Sequence, residues 1–170
     1  MGCRSNPDKK ATNNKRSLTN MRMKVHLLYP DAQVPSYAHE TDSGMDLVAY
    51  ENALIHPGER KLIGTGITIE LPASTEAQIR PRSGLASKHG ITVLNTPGTI
   101  DEGYRGEIKV LLINHSSEAF QVTKGMRIAQ MVIAPVLRPK VEIVETRFIA
   151  SVSPPVETSR GTRGFGSTGL

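Results

Sequence analysis

From Lys24 onward the apolar residues come in short runs, each stopped within a few positions by Gly, Pro, Asn or Asp. No long window carries them at the three-and-four spacing of an amphipathic helix, so the stretch is restricted to short strands and tight turns. Candidate strands cover residues 25–28, 45–49, 59–63, 66–71, 77–81, 91–94, 107–114, 120–122, 127–134 and 141–146. Pro57 with Gly58, Pro97 with Gly98, and the run from Asp101 to Gly106 mark turns, because Pro presets φ and Gly tolerates positive φ. Residues 83–89 are the exception: Ser83 is a candidate cap for a short helical turn. Aromatic residues are scarce and Trp is absent, so the core falls to Val, Ile, Leu, Met and Ala. The expectation is an all-β, jelly-roll-like single domain, since 170 residues fit one ordinary domain of roughly 100–200 residues.

The two ends differ from this core. The formal charge of +5 is concentrated near the start, where seven basic residues up to Lys24 face a single acid, Asp8, and the remainder is close to neutral. Residues 1–23 are rich in Asn, Lys, Ser and Thr and poor in apolar groups, and are expected to be a disordered basic leader. They lack the apolar run of a secretory signal and the amphipathic face of a transit peptide. Asn6 stands where a myristoylation signal wants Ser or Thr. With Cys3 the only cysteine, no intramolecular disulfide and no cysteine-based zinc cluster is available, and a reducing, cytoplasmic setting is expected. No run approaches the roughly 20 apolar residues of a membrane span. After the core, taken as 24–149, residues 150–170 read as a flexible arm rich in Ser, Pro and Gly. Its Arg, alternating glycines, single Phe and adjacent Ser and Thr also suit a wrap around anionic oxygens.

Five separated segments carry chemistry: 40–50 (ETDSGMDLVAY), 81–90 (PRSGLASKHG), 95–108 (NTPGTIDEGYRGEI), 125–135 (GMRIAQMVIAP) and 160–169 (RGTRGFGSTG). In the second, a guanidinium, a hydroxyl and a bare Gly backbone precede a helical turn, which suits a phosphate. Alone, that segment reads more readily as a strand-to-turn junction with a surface Arg. The third reads as a β-hairpin with Asp101 and Tyr104 near its tip. His39, His56, His89 and His115 read as surface or turn residues, and Ser83 has no His at a spacing that makes it a nucleophile.

In order and spacing the five segments resemble the motifs of the trimeric deoxyuridine triphosphatase family, over nearly the whole chain from Lys24. The resemblance implies hydrolysis of dUTP to dUMP and pyrophosphate by a homotrimer whose subunits share each active site. It implies that Arg82, Ser83, Gly84 and Gln130 contact phosphates, with Asp46 and Arg127 in support. Asp101 holds the attacking water, Asn95 meets the uracil edge, Tyr104 packs beneath the deoxyribose, and Thr99, Ile100 and Lys109 share that pocket. Arg160 meets the terminal phosphate and Phe165 stacks on uracil, with Gly166, Ser167 and Thr168 adding contacts. Mg²⁺ is the implied cofactor, held mainly through substrate phosphates and water, with no metal-ligating side chain assigned. Arg163 departs from the motif, standing where a second Gly is frequent. A dCTP deaminase of the same fold, or a nucleotide-binding trimer without turnover, are the alternatives. Nucleic acid and membrane partners are not expected, since the core is near neutral.

Overall fold

The computed structural model describes residues 21–143. Of these, residues 21–137 belong to one compact unit, and residues 138–143, which carry no strand, fall outside it. Among the described residues the order is β1 (Lys24–Leu27), β2 (Met45–Val48), β3 (Ala53–Ile55), β4 (Arg60–Gly64), β5 (Ile67–Glu70), β6 (Thr75–Arg80), α1 (Ser83–His89), β7 (Ile91–Val93), β8 (Gly98–Ile100), β9 (Lys109–Asn114), β10 (Phe120–Val122) and β11 (Arg127–Pro135). The fold is all-β and jelly-roll-like.

Four antiparallel sheets hold the strands, in the orders β2-β11-β6-β8, β4-β9-β7, β1-β5 and β10-β3. Side-chain alternation explains the inner faces: Met45 and Leu47, Ile67 and Ile69, Ala77 and Ile79, and Val110 and Leu112 are buried while their neighbours along each strand face outward. These faces meet in one cluster that contains Ile, Leu, Val, Met and Ala and no aromatic ring.

The loop after β9 is closed from inside by Asn114, which is fully buried. Its Nδ2 donates to Ile55 O at 2.9 Å and Glu118 O at 2.7 Å, and its Oδ1 accepts from Ser116 N and Oγ at 2.9 and 2.7 Å. Asn114→Ala removes all of these bonds from a fully buried position, so stability should fall by about 2–4 kcal/mol. Urea denaturation checks this. A change below about 1 kcal/mol would mean that water replaces the lost bonds.

Three expectations need correction. Residues 95–104 do not form a hairpin: β7 and β8, on either side of the Pro97 turn, belong to different sheets, and β9 pairs with β4 and β7. A Pro-Gly turn between two short apolar runs serves a corner between sheets as well as a hairpin. Ser83 is not the cap of α1; Arg82, extended at φ −92° and ψ 126°, holds that position without a side-chain cap bond. Gly90, at φ 63°, closes the helix in the left-handed region and bonds back to Ala86 O and Leu85 O. Finally, Val141, Glu142 and Ile143 lie in no strand, and the rest of that candidate falls outside the described residues.

Candidate active site

The first cleft forms where β2, β11 and the start of α1 meet, with a volume of about 560 Å³. Asp46 on β2 lies opposite Gln130 on β11, which lies opposite Arg80 at the end of β6, so the sheet register delivers Arg82, Ser83 and Gly84 to the same edge. Arg127 and Gln130 are three residues apart, and strict alternation would turn them to opposite faces. A bulge between Arg127 and Ala129 prevents this: two steps on β11 match the single step from Val48 to Leu47 on β2. Ile128 and Ala129 are both buried, and Arg127 and Gln130 both reach the cleft.

Charge inside the cleft is organised by Asp46, whose side chain is 16% exposed. One oxygen lies 3.0 Å from Arg82 Nε and the other 3.1 Å from Arg127 Nη1. Arg82 Nη1 also donates to Arg127 O at 3.1 Å. Gln130 Nε2 donates to Pro81 O at 2.9 Å. The outcome is two guanidiniums held side by side by one carboxylate, beside a hydroxyl and a bare glycine, which is the chemistry of an oxyanion receptor.

A second, smaller hollow of about 150 Å³ is lined by Asn95, Thr99, Ile100 and Lys109 over Ile79, Val93 and Leu111. No residue lines both. Asp101 and Tyr104 line neither; they occupy the exposed turn that follows β8, with Tyr104 N donating to Asp101 O at 3.0 Å. Arg105 braces that turn through Glu102 O and Tyr104 O at 2.7 and 2.9 Å, and Ser74 N anchors it to Glu102 Oε2 at 2.9 Å. Arg160, Phe165, Gly166, Ser167 and Thr168 lie outside the described residues, as do Cys3 and Arg163.

The cleft includes groups that residue types alone did not flag. His39 and Asp42 form its opposite wall in a tight turn, His39 N donating to Asp42 Oδ2 at 2.9 Å, and Lys88 and His89 close it from the end of α1. Only the neighbouring motif residues mark those positions in the sequence. Perturbed titration appears elsewhere, around a third hollow. There Lys124 Nζ at 2.6 Å and the Tyr50 hydroxyl at 2.7 Å hold the Asp31 carboxyl below its usual range. Asp31 in turn pushes the Tyr50 phenol and the Lys124 ammonium up. These groups satisfy one another, and Tyr29 stacks on Tyr50 with ring centroids 4.3 Å apart.

No group of three or more His, Cys, Asp or Glu among the described residues is placed to hold a metal ion. Asp46, the carboxylate between the cleft arginines, has both oxygens engaged by guanidiniums. This donor set fits a hard cation carried by a ligand's own oxygens and water better than one caged by side chains.

Known proteins are similar to the chain in sequence and in fold. Deoxyuridine 5'-triphosphate nucleotidohydrolases of Gloeothece citriformis and Clostridium tetani are 61% and 58% identical to the chain over 150 and 152 residues, covering 88% and 89% of it and 98% and 99% of their own lengths. A variant dUTPase of Staphylococcus bacteriophage 80alpha, solved with dUpNHpp, matches with a TM-score of 0.75 at 28% identity, over 88% of this chain and 99% of that one. A variant from phage phi11 of S. aureus, solved to show how a structural Mg(II) ion is coordinated, matches with a TM-score of 0.68 at 27% identity, over 73% and 97%. The family model described as dUTPase runs from residue 30 to residue 169, through both hollows and the turn that bears Asp101, and the chain belongs to the dUTPase family.

Proposed function

We propose that this chain is a dUTP diphosphatase, hydrolysing dUTP with water to dUMP and pyrophosphate by in-line attack at the α-phosphorus. The observation that carries the reading is the pair of guanidiniums fixed by Asp46 beside Ser83 and Gly84, a receptor shaped for a polyphosphate. Arg82, Ser83, Gly84 and Gln130 bind the phosphates there, while Asp46 and Arg127 keep the cationic wall in place. Asn95 and the backbone around Thr99 and Ile100 meet the uracil edge, with Lys109 at the margin of the same hollow. Such pairing rejects cytosine, whose exocyclic donor would leave a buried group unpaired. Tyr104 lies under the deoxyribose and leaves no room for a 2′-hydroxyl. Asp101 orients the attacking water, and a carboxylate, being a weak base, contributes more by placement than by basicity.

Within one chain the phosphate residues and the base residues line separate hollows, and Asp101 sits on a third segment. That separation supports a homotrimer in which neighbouring subunits complete each site. In the same reading, residues 150–170 form an arm that closes over the nucleotide, Arg160 meeting the terminal phosphate and Phe165 the base, with Gly166, Ser167 and Thr168 alongside. Mg²⁺ is the cofactor: bound to the substrate phosphates, it neutralises their charge. A cytoplasmic setting fits the single cysteine. In a cell the activity would limit uracil incorporation into DNA and supply dUMP for dTMP synthesis.

Pyrophosphate release measured on purified protein with dUTP, UTP, dCTP and dTTP tests the proposal. Release from dUTP alone is expected; ammonia from dCTP without pyrophosphate from dUTP would sink it.

A further inference from the structure

The segment that follows the Asp101 turn is fastened to the turn between β4 and β5. Gly66 N donates to Glu107 Oε1 at 2.9 Å. Thr65 N and Oγ1 both donate to Ile108 O, at 3.2 and 2.6 Å, and Ile108 N donates to Ile67 O at 2.9 Å. Glu107 Oε2 lies 3.4 Å from Lys109 Nζ, and the Glu107 side chain is only 21% exposed. Its backbone carbonyl accepts from the Tyr104 hydroxyl at 3.1 Å. Glu107 is thus held both at its carboxylate and through the peptide it shares with Ile108, and its carbonyl accepts from Tyr104.

The space for that carboxylate is reserved. A Cβ on Gly64 would stand 2.6 Å from Glu107 Oε1, so a side chain at position 64 and the docked carboxylate exclude one another. Tyr104 itself is 45% exposed, and its ring passes over the bare backbone of Gly106. Its hydroxyl is joined to the Glu107 carbonyl.

We propose that Glu107 is a positioning residue for sugar discrimination: docked over Gly64, it holds the Tyr104 ring in the plane that excludes a 2′-hydroxyl. This rests on the dUTP reading above. A displacement of the ring by about 1 Å is enough to change a rate by up to about a hundredfold. Freed from the clamp, Tyr104 gives way to ribose, and selectivity is lost before turnover.

The test is kcat/KM for dUTP and for UTP, followed by pyrophosphate release, in Glu107→Ala, Glu107→Gln, Gly64→Ala and Tyr104→Ala, with melting curves for each. Glu107→Ala and Gly64→Ala should lower the dUTP-to-UTP ratio by about tenfold. Gly64→Ala does so with Glu107 chemically intact, through displacement of its carboxylate alone. Glu107→Gln, whose amide oxygen still accepts from Gly66 N, should keep the ratio near that of the parent enzyme. A general loss of folded protein lowers both substrates alike and does not move the ratio. An unchanged ratio in Glu107→Ala and Gly64→Ala, with discrimination lost in Tyr104→Ala, overturns the clamp. So does Glu107→Gln discriminating no better than Glu107→Ala. A parent enzyme that hydrolyses UTP as readily as dUTP overturns the dUTP reading instead.

Discussion

Asp101→Asn should lower turnover of dUTP by about 10²–10⁴-fold while leaving the affinity for a non-hydrolysable dUTP analogue close to that of the parent protein. The substitution is suited to isolate the charge. Asn has nearly the shape of Asp and is equally at home in a turn, and the braces on this turn come from Arg105 and from Ser74 to Glu102, not from the Asp101 side chain. The turn therefore persists while the carboxylate proposed to orient the attacking water is gone. Single-turnover pyrophosphate release reads the chemical step, and titration calorimetry with the analogue reads binding. Full turnover would remove Asp101 from the mechanism. Loss of binding together with turnover would make it a nucleotide contact instead.

Removal of residues 160–170 should leave the core folded and lower kcat/KM for dUTP by about 10²–10⁴-fold. All strand pairings among the described residues lie between Lys24 and Pro135, so the deletion takes no strand from any of those sheets. What it takes, in the proposed mechanism, is a base stacked on Phe165, worth roughly 1–3 kcal/mol, and a charge-assisted contact from Arg160 to phosphate, worth about 1.5–3 kcal/mol. Together these give the expected loss. Urea denaturation monitored by circular dichroism should coincide with that of the full chain. Undiminished turnover would return residues 160–170 to an uninvolved end.

Much of the fold was legible because burial on one face of a sheet imposes a period of two. β10 falls where its apolar run predicts, and α1 spans the residues expected of it. β3 escaped because Ala53, Leu54 and Ile55 form too short a run to show alternation, although Ala53 and Ile55 are buried and Leu54 is exposed. β8 escaped because it begins at Gly98, inside what reads as a turn. The site was legible through whole motifs rather than single residues. Asp46 and Arg82 are far apart in sequence and unremarkable separately, and the ion pair between them exists only in the folded sheet. Glu107 gave no local signal at all. Its importance comes from Gly64 and Gly66, more than forty positions earlier, which make space for its carboxylate and donate to it.

The extra residue in β11 makes chain length as consequential as residue identity in that strand. Side chains before the bulge keep one phase and those after it the other, in the manner of a reading frame. Inserting one more residue between Arg127 and Gln130 would set them four apart, on one face again only if the bulge were lost and the register against β2 slipped by two. Deleting one would straighten the strand and keep both outward, at the expense of a buried side chain, Ile128 or Ala129. Gaps and insertions at this point are thus unequal events: a deletion restores regular pairing with β2, whereas an insertion keeps the cationic wall only by slipping the register.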